Sequence, residues 1–457
     1  MNTHSLLFSL GLAILAGQFC LWLLAYRQCW RAFPLLQQYA RKLKSLRYLE
    51  SLEESTLPPL TLLLVLHDER EQSIGLLKQC LQLEYPRVDY LVVHNGDDQV
   101  TFECLREQYG LKPVPRFPVA ELGTRPVKGV YQSEDMPQLW VIDKEPGSLP
   151  DALNAGLNFC QTPLVAVINP HVQTEPEALL QLSRPFLQNS LTWAVSGRVR
   201  FNQVQTAPAK ATLPPKIWGK LAVILQQRQN LVQHIWQNQV GVFGNLSPDC
   251  VLLRRASLVE AGGFPASGEL YMAETAVRLR RLARIQGVPA QVVFLPDTLA
   301  WKSAPQARAE LKQSVMRFQQ IQKMLWRDRT LSKGRWQSFG LFVLEPAWLL
   351  LTWASCLLWA WLDPLWLGVW LLAVFSPVAV AAMVVTLGEL TSYRYSRPEL
   401  QRLQNLAWVY PLCWQPLIAW WQILGWFSPP PEPERVQVKK QTSPLKHTAR
   451  LNLGEDR

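Results

Sequence analysis

The chain has 457 residues, 20 of them Trp, a mean hydropathy of +0.00 and a net charge of +11. The length allows roughly two or three domains, and a hydropathy this balanced in so Trp-rich a chain mixes bilayer-type segments with a sizeable polar domain. Eight cysteines without a Cys-X-X-Cys pair exclude a zinc-ligand or disulfide framework, and a basic excess that no recognition motif accompanies excludes nucleic acid and points to anionic membrane lipid.

Residues 1–26 read as an N-terminal transmembrane anchor. Ser5–Tyr26 holds Gln18 as its one strongly polar side chain and, at 1.5 Å per residue, is long enough to cross roughly 30 Å of hydrocarbon. Met1–His4 lacks the basic start of a secretory signal, so an uncleaved anchor is expected. Residues 27–57 follow as a basic juxtamembrane helix with Arg27, Arg31, Arg41, Lys42, Lys44 and Arg47. The positive-inside bias then puts the large domain in the cytoplasm, on the inner or plasma membrane of the cell.

The stretch 58–305 carries an α/β pattern. After Pro58-Pro59, Leu60–Leu66 is an apolar run of strand length, as a strand buried on both faces requires. A helix over Ser73–Leu83 is stopped by Tyr85-Pro86, and a second strand, Val88–Val93, completes a βαβ unit. Strands at Leu139–Ile142 and Leu164–Ile168 alternate with helices at Asp151–Asn158 and Glu175–Leu187. Ligands of open parallel sheets sit outside the carboxyl ends of the strands, which singles out His67-Asp68-Glu69, His94-Asn95-Gly96-Asp97-Asp98 and Asn169-Pro170-His171. Beyond these, Trp193–Phe201 and Val292–Leu295 read as strands and Lys216–Gln239 as an amphipathic helix.

Residues 306–338 contain a second amphipathic helix, Gln306–Met324, suited to a membrane surface. Residues 339–387 read as a transmembrane hairpin: Phe339–Leu362 and Leu365–Leu387 flank Asp363-Pro364, and both outer ends are basic. Within 388–428, Leu406–Phe427 is apolar but interrupted by Pro411, Gln415, Pro416 and Gln422, so it is either interfacial or spanning. Residues 429–457 form a Pro-rich basic tail.

An ordered series of segments extends the reading. It runs through His67-Asp68-Glu69, Leu83-Glu84-Tyr85-Pro86, Val92-Val93-His94-Asn95-Gly96, Gly129-Val130-Tyr131, Asp143-Lys144 and Asp151–Gly156. It continues with Gly197-Arg198-Val199, Leu253-Arg254-Arg255, Gly262-Gly263-Phe264, Phe294-Leu295-Pro296-Asp297 and Trp301. In order and spacing, over about residues 45–450, this resembles the membrane-bound family-2 glycosyltransferases, the group of the cellulose, hyaluronan and poly-N-acetylglucosamine synthases. The resemblance implies a GT-A fold, a nucleotide-sugar donor, a growing glycan as acceptor, Mg²⁺ or Mn²⁺, and inverting transfer. That chemistry needs an acidic residue to hold the nucleotide, an Asp-X-Asp to hold the cation behind the leaving diphosphate, and a carboxylate to take the acceptor proton.

Each of those positions is changed here. The nucleotide-holding Asp corresponds to Asn95, and the Asp-X-Asp corresponds to Asn169-Pro170-His171. The Glu-Asp that carries the base corresponds to Glu274-Thr275, and the Gln-X-X-Arg-Trp clamp on product and diphosphate is reduced to Arg317-Phe318. A phosphate-facing Lys gives way to Gly147-Ser148-Leu149, and Ser247-Pro248-Asp249 replaces Ser-Gly-Ala. The residues left to hold a nucleotide sugar are Asp68, Asn95, Asp97, Asp98, Asp151, Asn169 and His171, with Glu274 and Asp249 for catalysis.

Two accounts follow: a working transferase in which these side chains take over the vacated roles, or a scaffold that binds a nucleotide, a glycan or an active glycosyltransferase partner without turnover. Three histidines at the same sheet edge, His67, His94 and His171, also admit a transition-metal site. Plainer readings stand beside these: Asp151 as a helix cap, Asp97-Asp98 as a turn, and Glu274 as an ion-paired surface group among Arg278, Arg280, Arg281 and Arg284.

Overall fold

The computed structural model describes residues 57–66, 70–96, 99–120, 122–169, 171–202, 212–227, 246–266, 268–328, 339–362, 379–386 and 395–428, with scattered residues between 6 and 34 and residue 368. Its centre is one ten-stranded mixed sheet. In chain order the strands are β1 (Leu60–Leu66), β2 (Val88–His94), β3 (Leu111–Pro113), β4 (Val127–Ser133), β5 (Leu139–Lys144), β6 (Leu164–Ile168), β7 (Val172–Thr174), β8 (Thr192–Asn202), β9 (Cys250–Arg254) and β10 (Gln291–Ser303). Their order across the sheet is β3-β4-β5-β2-β1-β6-β9-β8-β10-β7. The run β5-β2-β1-β6 is parallel throughout, β9 enters antiparallel between β6 and β8, and β8 and β10 are again parallel.

The all-apolar sequence of β1 follows from having a core on each side. Leu60, Leu62, Leu64 and Leu66 point into one cluster, and Leu63 and Val65 into the other. The first cluster is closed by helices α1 (Arg70–Cys80), α2 (Gln99–Gln108) and, after α3 (Leu149–Phe159), by α4 (Ala178–Gln188), through Leu77, Phe102, Leu179 and Phe186. The second is closed by α3, through Ala152, Leu153 and Leu157, and by a helix described below, through Tyr271, Met272 and Leu279. Helices on both faces of a parallel core make this an α/β sandwich, as expected from the sequence.

Four further helices complete the domain and its margin: α5 (Ile217–Gln227), α6 (Arg255–Glu260), α7 (Tyr271–Ile285), which is the helix just mentioned, and α8 (Arg308–Arg327). Towards the C-terminus lie α9 (Glu345–Leu362), α10 (Arg397–Cys413) and α11 (Gln415–Phe427). The apolar stretch expected as one segment over 406–427 is thus two helices meeting at Trp414. The break follows from Pro416 in the first turn of α11, where its missing N–H is harmless. Leu221, Ala222, Leu311, Val315, Tyr410, Ile418 and Trp421 form one buried cluster, which docks α10 and α11 onto α5 and α8. A capping box of Ser396 and Glu399 starts α10, and Glu399 Oε1 also accepts from the Leu213 amide at 3.1 Å.

Among the described residues no helix is long and apolar enough to cross a membrane. Half of the expected anchor at 1–26, nearly all of the juxtamembrane helix at 27–57, much of the second hairpin arm and the tail at 429–457 lie outside the described residues, as do His67, Asp68, Asp97 and Asp98.

Candidate functional site

The chain leaves β1 for β2 and β5 on one side and returns to β6 on the other, so strand order reverses between β1 and β6. Crevices at such a switch point, outside the carboxyl ends of the strands, are where ligands bind in open α/β sheets. Two polar clusters occupy that edge.

The first lies at the ends of β2 and β5. Asn95 clasps the peptide of Gly147 from both sides: its Nδ2 donates to Gly147 O and its Oδ1 accepts from Gly147 N, each at 2.9 Å. Lys144 is fully buried, and its ammonium donates to Asp151 Oδ2 at 2.6 Å, to the Glu145 carbonyl at 2.7 Å and to Asn95 Oδ1 at 3.2 Å. Three acceptors match the three N–H groups of an ammonium, so this charge is satisfied within the protein. Asp151 also accepts from the Arg125 amide at 3.0 Å, and the cap of α3 is Ser148 rather than Asp151. Gly147 is required here, since a Cβ would lie 2.1 Å from Asp151 Oδ2. Beside this network His94 is buried against Phe102, with Nδ1 2.9 Å from Asp143 Oδ1.

The second cluster lies at the end of β6. β9 runs antiparallel to β6 with Cys250 opposite Ile168, which sets Asp249 next to Asn169. Asn169 Nδ2 donates to Asp249 Oδ1 at 3.0 Å, and Asn169 Oδ1 accepts from the His171 amide at 3.0 Å. Lys302, near the end of β10, reaches the same Asp249 oxygen at 3.1 Å. β2 and β6 flank β1, so the two clusters are about 10 Å apart, two strand spacings.

Glu274 is elsewhere. It stands in the first turn of α7 and takes Arg278 one turn on, Oε1 to Nη2 at 3.0 Å, the ion-paired arrangement open to it from sequence. It lines a cavity of about 440 Å³ with Arg281, Gln320, Lys323, Arg327 and Asp328. Burial pulls Arg280 of the same helix down to about 10, against the opposing pull of Asp328. Arg317 on α8 pairs with Glu269 at 2.5 Å, and Phe318 beside it is half-buried.

The residues present suit a divalent cation poorly. Mg²⁺ and Mn²⁺ take hard oxygen ligands, several of them anionic. At Asn169-Pro170-His171 the chain offers one nearby carboxylate, Asp249, whose oxygen already holds an ammonium. Among the described residues no group of three or more His, Cys, Asp and Glu is placed to hold a metal ion; His94 is engaged with Asp143 and His171 is exposed.

Lys144, read from the sequence only within Asp143-Lys144, and Lys302, not singled out there, are the cations that the structure adds to this edge. Each lies within the last two residues of its strand, Lys144 after Leu139–Ile142 and Asp143 and Lys302 after Leu299-Ala300-Trp301, and that position was the available signal.

No protein-family profile and no curated protein matches the chain. Among solved structures it is similar to the mannosyltransferase PcManGT from Pyrobaculum calidifontis in complex with GDP-Man and Mn²⁺, at 16% identity and a TM-score of 0.47, covering 89% of this chain and 99% of that one. It is also similar to S. aureus TarS 1–349, at 12% identity and a TM-score of 0.36, covering 77% and 91%. Likenesses this loose do not decide the fold, which stands on the strand order described above.

Proposed function

We propose that this chain is a membrane-bound protein of the family-2 glycosyltransferase type, with a GT-A fold. It binds a nucleotide sugar at the switch-point edge, and its capacity for sugar transfer to a glycan is weak or absent. The observation that carries the reading is the gathering of Asn95, Asp143, Lys144, Asp151, Asn169, Asp249 and Lys302 along the carboxyl ends of β5, β2, β6 and β10. Weak transfer follows from the carboxylates: Asp249 is held by Lys302, Glu274 by Arg278, and Asp151 by Lys144. Loss of a single transition-state contact typically costs about 10²–10³ in rate.

A second reading, a binding subunit of a polysaccharide-synthesis assembly with an active transferase partner, is favoured by the closed clasp of Asn95 and Lys144. There the hydrogen bonds a nucleotide base would use are spent within the protein.

Detergent-solubilised full-length protein, titrated with UDP-sugars and GDP-sugars and assayed for donor hydrolysis, tests the proposal. Binding with turnover at least about 10²-fold below an active synthase is expected. Absence of binding at millimolar donor would remove the nucleotide-sugar reading.

A further inference from the structure

We propose that the ammonium of Lys302 does the work of the divalent cation in the resembled enzymes, so that this chain recognises the diphosphate of its ligand without metal. The inference rests on the nucleotide-sugar reading and deepens it.

β10 pairs in parallel with β8 and antiparallel with β7, with Lys302 opposite Phe201 and Val172. That register brings the side chain to the carboxyl end of β6, where Asn169-Pro170-His171 replaces the metal-binding Asp-X-Asp. The charges balance in the same way. A dication between two carboxylates is neutral before the diphosphate arrives, and so is one ammonium beside one carboxylate. With Asn169 and His171 where the resemblance puts both acidic residues, Asp249 from just before β9 and Lys302 from β10 restore that balance while exchanging a dissociable cation for a covalently attached one.

Geometry favours the exchange. Asp249 Oδ1 accepts from both Asn169 Nδ2 and Lys302 Nζ, so the carboxylate is fixed and in turn fixes the lysine. The Asp249 side chain is 13% exposed and Lys302 34%, so the cation is the more accessible member of the pair. An ammonium has three N–H groups and is a compact point charge of the kind that binds phosphate oxygens. A dication bound to Asp249 would meet that ammonium as a like charge within a few ångströms, a direct Coulombic cost. The first cluster lies about 10 Å away along the sheet edge, a separation a nucleoside diphosphate can span.

The test is calorimetric titration of the full-length protein in detergent with UDP and GDP, in EDTA and in Mn²⁺. Affinity for the better nucleotide should change less than about twofold between the two conditions. K302A should weaken binding about tenfold or more, as loss of a charge-assisted hydrogen bond does. K302R should restore most of it, and the matching nucleoside should be insensitive to K302A. K302Q separates the alternatives if K302A folds poorly: it keeps the side chain's polar end but not its charge, and should weaken nucleotide binding in EDTA about as much as K302A does. Binding that requires Mn²⁺, or K302A with unchanged affinity, would overturn the ammonium assignment while leaving nucleotide binding intact. If neither nucleotide binds at millimolar concentration in either condition, both fall.

Discussion

Lys144 is a charged side chain with no exposed surface, tolerable because each of its N–H groups has an acceptor. Its partners depend on it equally. Replacing it with Met would leave Asp151 Oδ2 without its ammonium donor and Asn95 Oδ1 with the Gly147 amide alone. Removing one member of a buried ion pair typically costs about 3 kcal/mol or more, and the slight exposure of Asp151 argues for the lower end. K144M should therefore lower stability by about 3 kcal/mol, read from urea unfolding; a loss under about 1 kcal/mol would mean that the clasp is not a structural element. D151N tests the same pair from the other side, and since Asp151 can rehydrate, its cost should be smaller.

At the scale of elements, the seat of α3 on the sheet decides whether the switch-point edge forms. α3 rests on β1 and β2 through Gly156, where an added Cβ would lie 2.1 Å from Leu63 Cδ1 and 3.0 Å from Val93 Cγ2. Both neighbours are fully buried, so neither can swing away. Ala would gain about 1 kcal/mol of helix propensity over Gly, but overpacking a full core costs about 1–3 kcal/mol. G156A is expected to be net destabilising, with a lowered thermal-unfolding midpoint, because lifting α3 also displaces Ser148, Asp151 and Asn154. Asn154 binds the backbone of Phe264 in both directions at 2.8 Å and so ties α3 to the loop before α7. An unchanged or raised midpoint would show that α3 can shift without cost.

For the whole molecule, the distribution of exposed apolar surface matters most. Leu6, Phe8, Leu10, Leu12, Phe19 and Leu23 near the N-terminus, and Leu344, Leu351, Leu357, Trp420 and Phe427 towards the C-terminus, are each at least one-third exposed, with Leu357 at 75%. Exposed large apolar side chains on the α/β core are fewer and scattered, among them Val100, Leu187 and Ile285. Exposed large apolar side chains concentrated in the terminal segments are what the proposed membrane-bound reading requires. The expected outcome is that the chain stays in the membrane fraction through an alkaline carbonate wash and is extracted by detergent. Release by carbonate alone would rule out integration in the bilayer.

What the sequence determined by itself was local. Leu60–Leu66 and Leu164–Ile168 are strands with the boundaries read from their apolar runs, and Asp151–Asn158 lies inside α3. A strand buried on both faces must be apolar at every position, and such a signal needs no knowledge of the rest of the chain. Val127–Ser133, Cys250–Arg254 and Tyr271–Ile285 escaped the reading by periodicity, since the first is part polar, the second short and the third crowded with Arg. The candidate site was legible as a set of positions after strand ends, but not as a set of partners. Asp249 meets Asn169 across 80 residues and Lys302 across 53, and Lys144 meets Asn95 across 49. Only the insertion of β9 beside β6 and the register of β10 bring those groups within hydrogen-bonding distance. That Asp249 is neutralised by Lys302 is therefore decided by long-range strand pairing, whereas Asp151 with Lys144 and Glu274 with Arg278 pair within one short stretch of chain.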